Sequence, residues 1–262
     1  VNYQHILFET TDGVARLTFN RPERLNSFTS EMHAEVRGAL ATLRDSAARV
    51  LVISGAGRGF CAGQDLNDRA VAPGGAPPDL AASIEKNYKP LVLALRALPL
   101  PVIAAVNGVA AGAGANIALA CDVVIAARSA SFVQAFAKLG LIPDSGGTWL
   151  LPRLVGTARA LGLTLLGDKL SAEQAAAWGL IWRCVEDADL ASAVDELARH
   201  FAAAPTRGLA RTKQAIYEGF SRTLAQQLDV ERDYQGELGH SNDYAEGVAA
   251  FAAKRAPNFT GR

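Results

Sequence analysis

The stretch from Pro101 to Ala127, PVIAAVNGVAAGAGANIALACDVVIAA, is apolar from end to end except at Asn107, Asn116 and Asp122. It is long enough to cross a bilayer. Two amides, an acid and the glycines Gly108, Gly112 and Gly114 nevertheless suit an isolated span poorly. The better reading is a segment buried by protein on every side: a strand in PVIAAVNG, a small-residue helix, and a second strand in DVVIAA. Protein must then cover both faces of that unit, so the 262 residues are expected to form an α/β core.

The remaining pattern agrees. Two alternating runs flank Asp12-Gly13 in HILFETTDGVARLTFNRP, which predicts a hairpin ended by Pro22. Met32, Val36, Leu40 and Leu43 recur at helical spacing, and RVLVISG (Arg49–Gly55) reads as a buried strand entering a glycine-rich loop. DRAVAPGGAPPDLAAS reads as a loop, IEKNYKPLVLALRAL as an amphipathic helix, and ASFVQ as a further short strand. From about Ala191 onward only helical patterns follow, with a break at Ala204-Pro205-Thr206. The expected organisation is an α/β core over residues 1–195 and a helical region over 196–262.

Charge and cysteine content exclude some functions. Lys plus Arg and Asp plus Glu each number 26, so nucleic-acid or anionic-membrane binding has no excess of positive charge to draw on. Cys61, Cys121 and Cys184 are sparse and lack metal-ligand spacing, which fits a reducing cytoplasm and gives no metal site. The start, VNYQHILFETTDG, is polar and β-like rather than a secretory leader.

Two glycine-rich loops are candidates for chemistry. GAGRGFCAGQD (Gly55–Asp65) follows a strand, but Phe60 stands where a dinucleotide fingerprint needs its third glycine. It reads either as a plain turn or as a loop presenting backbone N–H groups to an oxyanion. The second loop runs into Gly112-Ala113-Gly114-Ala115. It reads either as tight helix–strand packing or as a helix N-terminus aimed at a substrate oxygen. His5, His33, His200 and His240 have no Ser or Cys placed to complete a triad, and Trp149, Trp178 and Trp182 read as packing residues.

Together, FNRPERLNSF, GRGFCAGQDL, the Pro101–Ala127 segment, GLIPDSGGTWLLPRLVG and LSAEQAAAWGLI resemble the crotonase (enoyl-CoA hydratase/isomerase) superfamily over nearly the whole chain. The resemblance implies a spiral of ββα turns with a helical region that builds homotrimers or dimers of trimers. It implies an acyl-CoA thioester substrate, with CoA arriving as part of the substrate and no separate cofactor. Position by position, it assigns an oxyanion hole to the N–H groups of Ala62 and Ala113. It places the acyl-thioester beside Ala62, Gly63, Gln64 and Asp65, and CoA near Arg24 and Leu25. Phe251 and Lys254 match a pair that touches CoA on a neighbouring subunit. Phe136 is expected to line the acyl pocket.

The departures narrow the reaction. The two glutamates of the family's hydratases are replaced here by Asn116 and Phe136. Adding water requires a pair of acid–base groups to orient it, so efficient hydration is not expected. Asp144, in the stretch GLIPDSGGTW, matches a position at which other relatives carry a functional aspartate. It reads either as a helix cap, a task Ser145 could share, or as a proton shuttle. The expectation is an isomerase acting on a double bond or a ring epoxide of the acyl group. The alternatives are dehalogenase- or hydrolase-like chemistry with Asp144 as nucleophile or water activator, and a silent acyl-CoA-binding subunit.

Overall fold

The computed structural model describes residues 2–44, 46–68 and 78–261. The chain opens with β1 (Ile6–Thr11) and β2 (Val14–Phe19), an antiparallel hairpin in which Thr11 faces Val14. Asp12 (φ 51°) and Gly13 (φ 76°) both take the left-handed conformation that a tight two-residue hairpin turn demands. Helix α1 (Ser30–Arg44) follows, with Met32, Val36, Leu40 and Leu43 buried as their spacing predicts.

The core is a spiral of strand–strand–helix turns. In the first, β3 (Val50–Gly55) and β4 (Gly59–Cys61) lead to α2 (Leu80–Ser83) and α3 (Lys89–Ala97), joined by a π-helical turn at Ile84–Tyr88. In the second, β5 (Val102–Val106) and β6 (Val109–Ala111) lead to α4 (Ala113–Ala120). In the third, β7 (Val123–Ala127) and β8 (Ser131–Val133) lead to α5 (Gly147–Leu166), which is interrupted at Gly156 (φ 77°). β9 (Lys169–Ser171), α6 (Ala172–Ala177) and β10 (Arg183–Val185) complete two sheets, ordered β1-β2-β3-β5-β7-β10 and β4-β6-β8-β9. In each turn the first strand enters the large sheet and the second enters the small one. All five residues of β5 are buried, as is every residue of α4, so the Pro101–Ala127 segment forms the centre of the molecule.

The two glycine-rich loops are therefore not continuous loops, because each contains a short strand. Three residues set among glycines and alanines carry too little alternation to stand out in a sequence. The loop expected in DRAVAPGGAPPDLAAS lies partly outside the described residues. Its end is helical, since Asp79 accepts the Ala82 N–H and caps α2. Trp182, expected to pack inside, is 73% exposed.

Helices α7 (Leu190–Ala203), α8 (Thr206–Gly219), α9 (Leu224–Leu238) and α10 (Asn242–Ala252) follow, with no strand among the described residues after β10. α7 spans position 195 and buries Ala193, Val194 and Ala198; it contacts β2, β3, β5 and β7. No described helix is long and apolar enough to cross a membrane.

Candidate active site

The end of β4 and the start of α4 are pressed together by glycine. A Cβ on Gly114 would sit 2.3 Å from the Cys61 carbonyl oxygen, and one on Gly63 would sit 2.9 Å from that of Ala111. Contacts that short exclude any side chain, so these glycines let the Cys61–Asp65 backbone lie against the entry to α4. Gly112 (φ 54°) turns the chain into the helix, and the Phe136 ring lies 3.7 Å from where its Cβ would be.

The Cys61–Asp65 loop is fixed by backbone pairing with residues 25–28. Phe28 donates its N–H to the Gly63 carbonyl at 2.7 Å, and its own carbonyl accepts the Asp65 N–H at 2.9 Å. The Ala62 N–H donates to the Leu25 carbonyl at 2.9 Å. That bond corrects the assignment of Ala62 to the oxyanion hole, because an amide hydrogen already spent within the fold is not available to a substrate. The intervening residue, Gln64, bridges Phe28 in parallel fashion. Extended residues present successive N–H groups to opposite sides, so the Gln64 N–H faces away from Phe28. Among the described residues no backbone acceptor takes it. Ala113, as the first residue of α4, has no acceptor within its helix for its N–H. At this junction Gln64 and Ala113 are two amides without a backbone acceptor among the described residues. Sequence reasoning placed Gln64 in the loop but could not tell its amide from that of Ala62, which the bridge to Phe28 does.

Side chains brace the same loop. Tyr88, delivered by the π turn, donates its hydroxyl to Gln64 Oε1 at 2.8 Å. The Asp65 carboxylate, 8% exposed, pairs with Arg21 at 2.9 Å and accepts the Asn67 N–H at 3.0 Å. Burial opposes ionisation of Asp65, but Arg21 and the Asn67 amide outweigh it and hold the carboxyl below its usual range. Asp65 therefore lines the loop with a side chain spent on structure. Asn26, fully buried, donates to the Ala56 and Gly59 carbonyls and accepts from the Arg21 N–H. Cys61 is inert in this setting, because burial pushes its thiol up to about 12.

Asp144 is half-buried in the turn before α5. The N-cap position of α5 is Gly146, so neither Asp144 nor Ser145 occupies it. The turn is closed by backbone, with the Gly147 N–H donating to the Asp144 carbonyl at 2.9 Å. The Ser145 hydroxyl donates to Asp144 Oδ1 at 2.9 Å. Asn116 Nδ2 donates to the Asp144 carbonyl oxygen at 2.8 Å, which attaches this turn to the first half of α4. The structure thus brings Ala62–Asp65, Ala113 and Phe136 around the start of α4 and ties Asp144 to Asn116, three residues further along that helix. Leu25 reaches the same loop through its carbonyl, and Arg24 is exposed beside it. Phe251, 87% exposed, and Lys254 lie at the end of α10, where Phe251 lines an apolar groove with Tyr244, Val248 and Phe259. Among the described residues no group of three or more His, Cys, Asp or Glu side chains is gathered to hold a metal ion.

The comparisons with known proteins accord with this geometry. The family model described as enoyl-CoA hydratase/isomerase matches residues 9–262. A 1,2-epoxyphenylacetyl-CoA isomerase from Escherichia coli is 61% identical over 99% of this chain and 99% of its own. A 4-chlorobenzoyl coenzyme A dehalogenase from Arthrobacter is 34% identical over 95% of this chain and 91% of its own. The crystal structure of an enoyl-CoA hydratase from Bacillus anthracis superposes with a TM-score of 0.93 at 33% identity, covering 99% of this chain and all of that one.

Proposed function

This chain belongs to the enoyl-CoA hydratase/isomerase family, and from that premise we propose that it isomerises acyl-CoA thioesters with one carboxylate and a two-amide oxyanion hole. The acyl carbonyl accepts hydrogen bonds from the Gln64 and Ala113 N–H groups. Removing a proton beside a thioester builds negative charge on that oxygen, and preorganised donors stabilise it as it forms. One such donor lowers the barrier by about 3–4 kcal/mol. The Asp144 carboxylate takes a proton from one carbon and returns it to another, as base and then acid. For a 3-enoyl-CoA the transfer moves the double bond into conjugation with the thioester. For 1,2-epoxyphenylacetyl-CoA, the substrate in the name of the Escherichia coli relative, the same stabilised carbonyl assists epoxide opening and ring expansion to an oxepin.

The observation that carries this reading is the attachment of the Asp144 turn to α4 through Asn116, in a site lacking both hydratase glutamates. CoA enters as part of the substrate, and the residues named supply the remaining chemistry. Exposed Leu161, Leu165 and Leu166 on α5, with Leu224 and Phe251 in the helical region, fit burial against further copies in a homotrimer or a dimer of trimers. Such an assembly is the setting in which Phe251 and Lys254 would meet CoA. A cytoplasmic location follows the sparse, unpaired cysteines.

A second reading is favoured by the dehalogenase relative: Asp144 attacks a halogen-bearing carbon of the acyl group as a nucleophile, the halide leaves, and water hydrolyses the resulting aspartyl ester to release product and regenerate the carboxylate. The test compares wild type with Asp144→Asn on a 3-enoyl-CoA and on 1,2-epoxyphenylacetyl-CoA, alongside acyl-CoA affinity. Loss of turnover with binding intact supports proton transfer by Asp144, and full turnover by the variant refutes it. Isolation of a covalent aspartyl ester in single turnover would establish the second reading.

A further inference from the structure

Asn116 is fully buried in α4, at the position where the resemblance puts an acid in hydratases. Its Nδ2 donates to the Asp144 carbonyl and its Oδ1 accepts from Gln134 Nε2, each at 2.8 Å. A carbonyl oxygen only accepts, so the orientation of this amide is not free. Its nitrogen must face Asp144, its oxygen must face Gln134, and the Gln134 nitrogen must point back. Gln134 is 3% exposed, and its Oε1 is left without a partner among the described residues. Turning Gln134 over would set two oxygens against each other, so the unpaired acceptor is the lesser cost.

The turn held at the other end of this chain needs an external tether. Ser145 (φ 51°) and Gly146 (φ 84°) are consecutive left-handed residues, and for serine that conformation is strained. Gly147 is matched to the tether, because a Cβ there would lie 2.4 Å from Asn116 Nδ2.

We infer that Asn116 is a positioning residue that acts through Asp144. The relay from Gln134 through Asn116 to the Asp144 carbonyl fixes where the Asp144 carboxylate sits. The inference rests on the proposed role of Asp144. It also makes the hydratase acid and this site mutually exclusive. A carboxylate at position 116 has no hydrogen to give the Asp144 carbonyl, and a glutamate adds a methylene against Gly147.

The experiment is a double-mutant cycle on 3-enoyl-CoA isomerisation, measured as kcat and KM. Asn116→Ala and the isosteric Asn116→Asp are each made in the wild-type and Asp144→Asn backgrounds. In the wild-type background both variants lower kcat at least tenfold while KM stays within about threefold. In the Asp144→Asn background the same changes alter the residual rate by less than twofold, because the residue they act through is gone. Asn116→Glu loses isomerisation and gains no hydration of a 2-enoyl-CoA. Wild-type kcat in Asn116→Asp, equal factors in both backgrounds, or hydratase activity gained with isomerisation retained would each overturn the inference. Failure of the Asp144 reading is distinguishable, since Asp144→Asn would then turn over normally whatever occupies position 116.

Discussion

The two ends of α4 treat polar groups in opposite ways. Past its C-terminal end, Asp122 is fully engaged: its carboxylate accepts the Val102 N–H at 2.7 Å, the Lys213 ammonium at 2.8 Å and the Tyr217 hydroxyl. Lys213 also donates to the Leu95 and Leu100 carbonyls, and the Arg96 guanidinium lies 3.2 Å from the centre of the Tyr217 ring. At the N-terminal end, no backbone acceptor takes the Ala113 and Gln64 N–H groups among the described residues, and Asp144 accepts Asn116 Nδ2 through its carbonyl and the Ser145 hydroxyl through Oδ1. Asp122 ties α8 to the core; Asp144 sits in the turn that Asn116 ties to α4. The Asp122 carboxylate, paired with Lys213, is architecture, whereas the groups proposed to act on the substrate carbonyl are amides without a backbone acceptor among the described residues.

The contrast is broken if the two acids behave alike. Asp144→Asn is expected to lower kcat by about 10²–10⁴-fold with a melting temperature close to wild type, checked by steady-state kinetics and calorimetry. Lys213→Met is expected to do the reverse. It removes the cation paired with Asp122, whose side chain is only 15% exposed, and should cost about 3–5 kcal/mol of unfolding free energy in denaturant titrations. The folded fraction should keep its kcat.

Smaller effects sharpen the picture at the junction itself. Gly114→Ala forces a methyl to within 2.3 Å of the Cys61 carbonyl, and such overpacking costs about 1–3 kcal/mol. Because it parts the two amides, kcat should fall while acyl-CoA affinity changes little. The Asp65–Arg21 pair gives a pH signature. The folded carboxyl lies below its ordinary value of 3.8, so its stabilisation is complete above that value and is lost as pH falls through the lowered one. The stability advantage of wild type over Asp65→Asn should therefore shrink only below about pH 4, as urea titrations across that range would read. The smallest effect concerns thiols. Maleimide at neutral pH should spare buried Cys61 and Cys121 in the native protein and modify Cys184, as peptide mass mapping would show.

Much of this was legible in the sequence. The Asp12-Gly13 hairpin, the periodicity of α1 and the apolar centre of the spiral follow from local rules, and the motif order indicates the family. Of the three-residue strands only β8 was legible, in ASFVQ; β4, β6, β9 and β10 show no period of their own. Nor was the choice between Ala62 and Gln64. Both lie in one glycine-rich loop, and only the long-range pairing of that loop with residues 25–28 decides which amide is spent. Asn116 reads in sequence as a missing acid, and its tether to Asp144 appears only once residues 28 apart are brought together.

The central claim, that Asp144 moves protons at a carbon made acidic by the Gln64 and Ala113 amides, is tested most directly without isomerisation. Phenylacetyl-CoA, which cannot isomerise, is incubated with enzyme in D₂O, and deuterium at its α-carbon is followed by NMR. Wild type should exchange that position, and Asp144→Asn should bind the thioester yet leave it protiated. Equal exchange by both proteins, or tight binding by wild type with no exchange at all, would contradict the account.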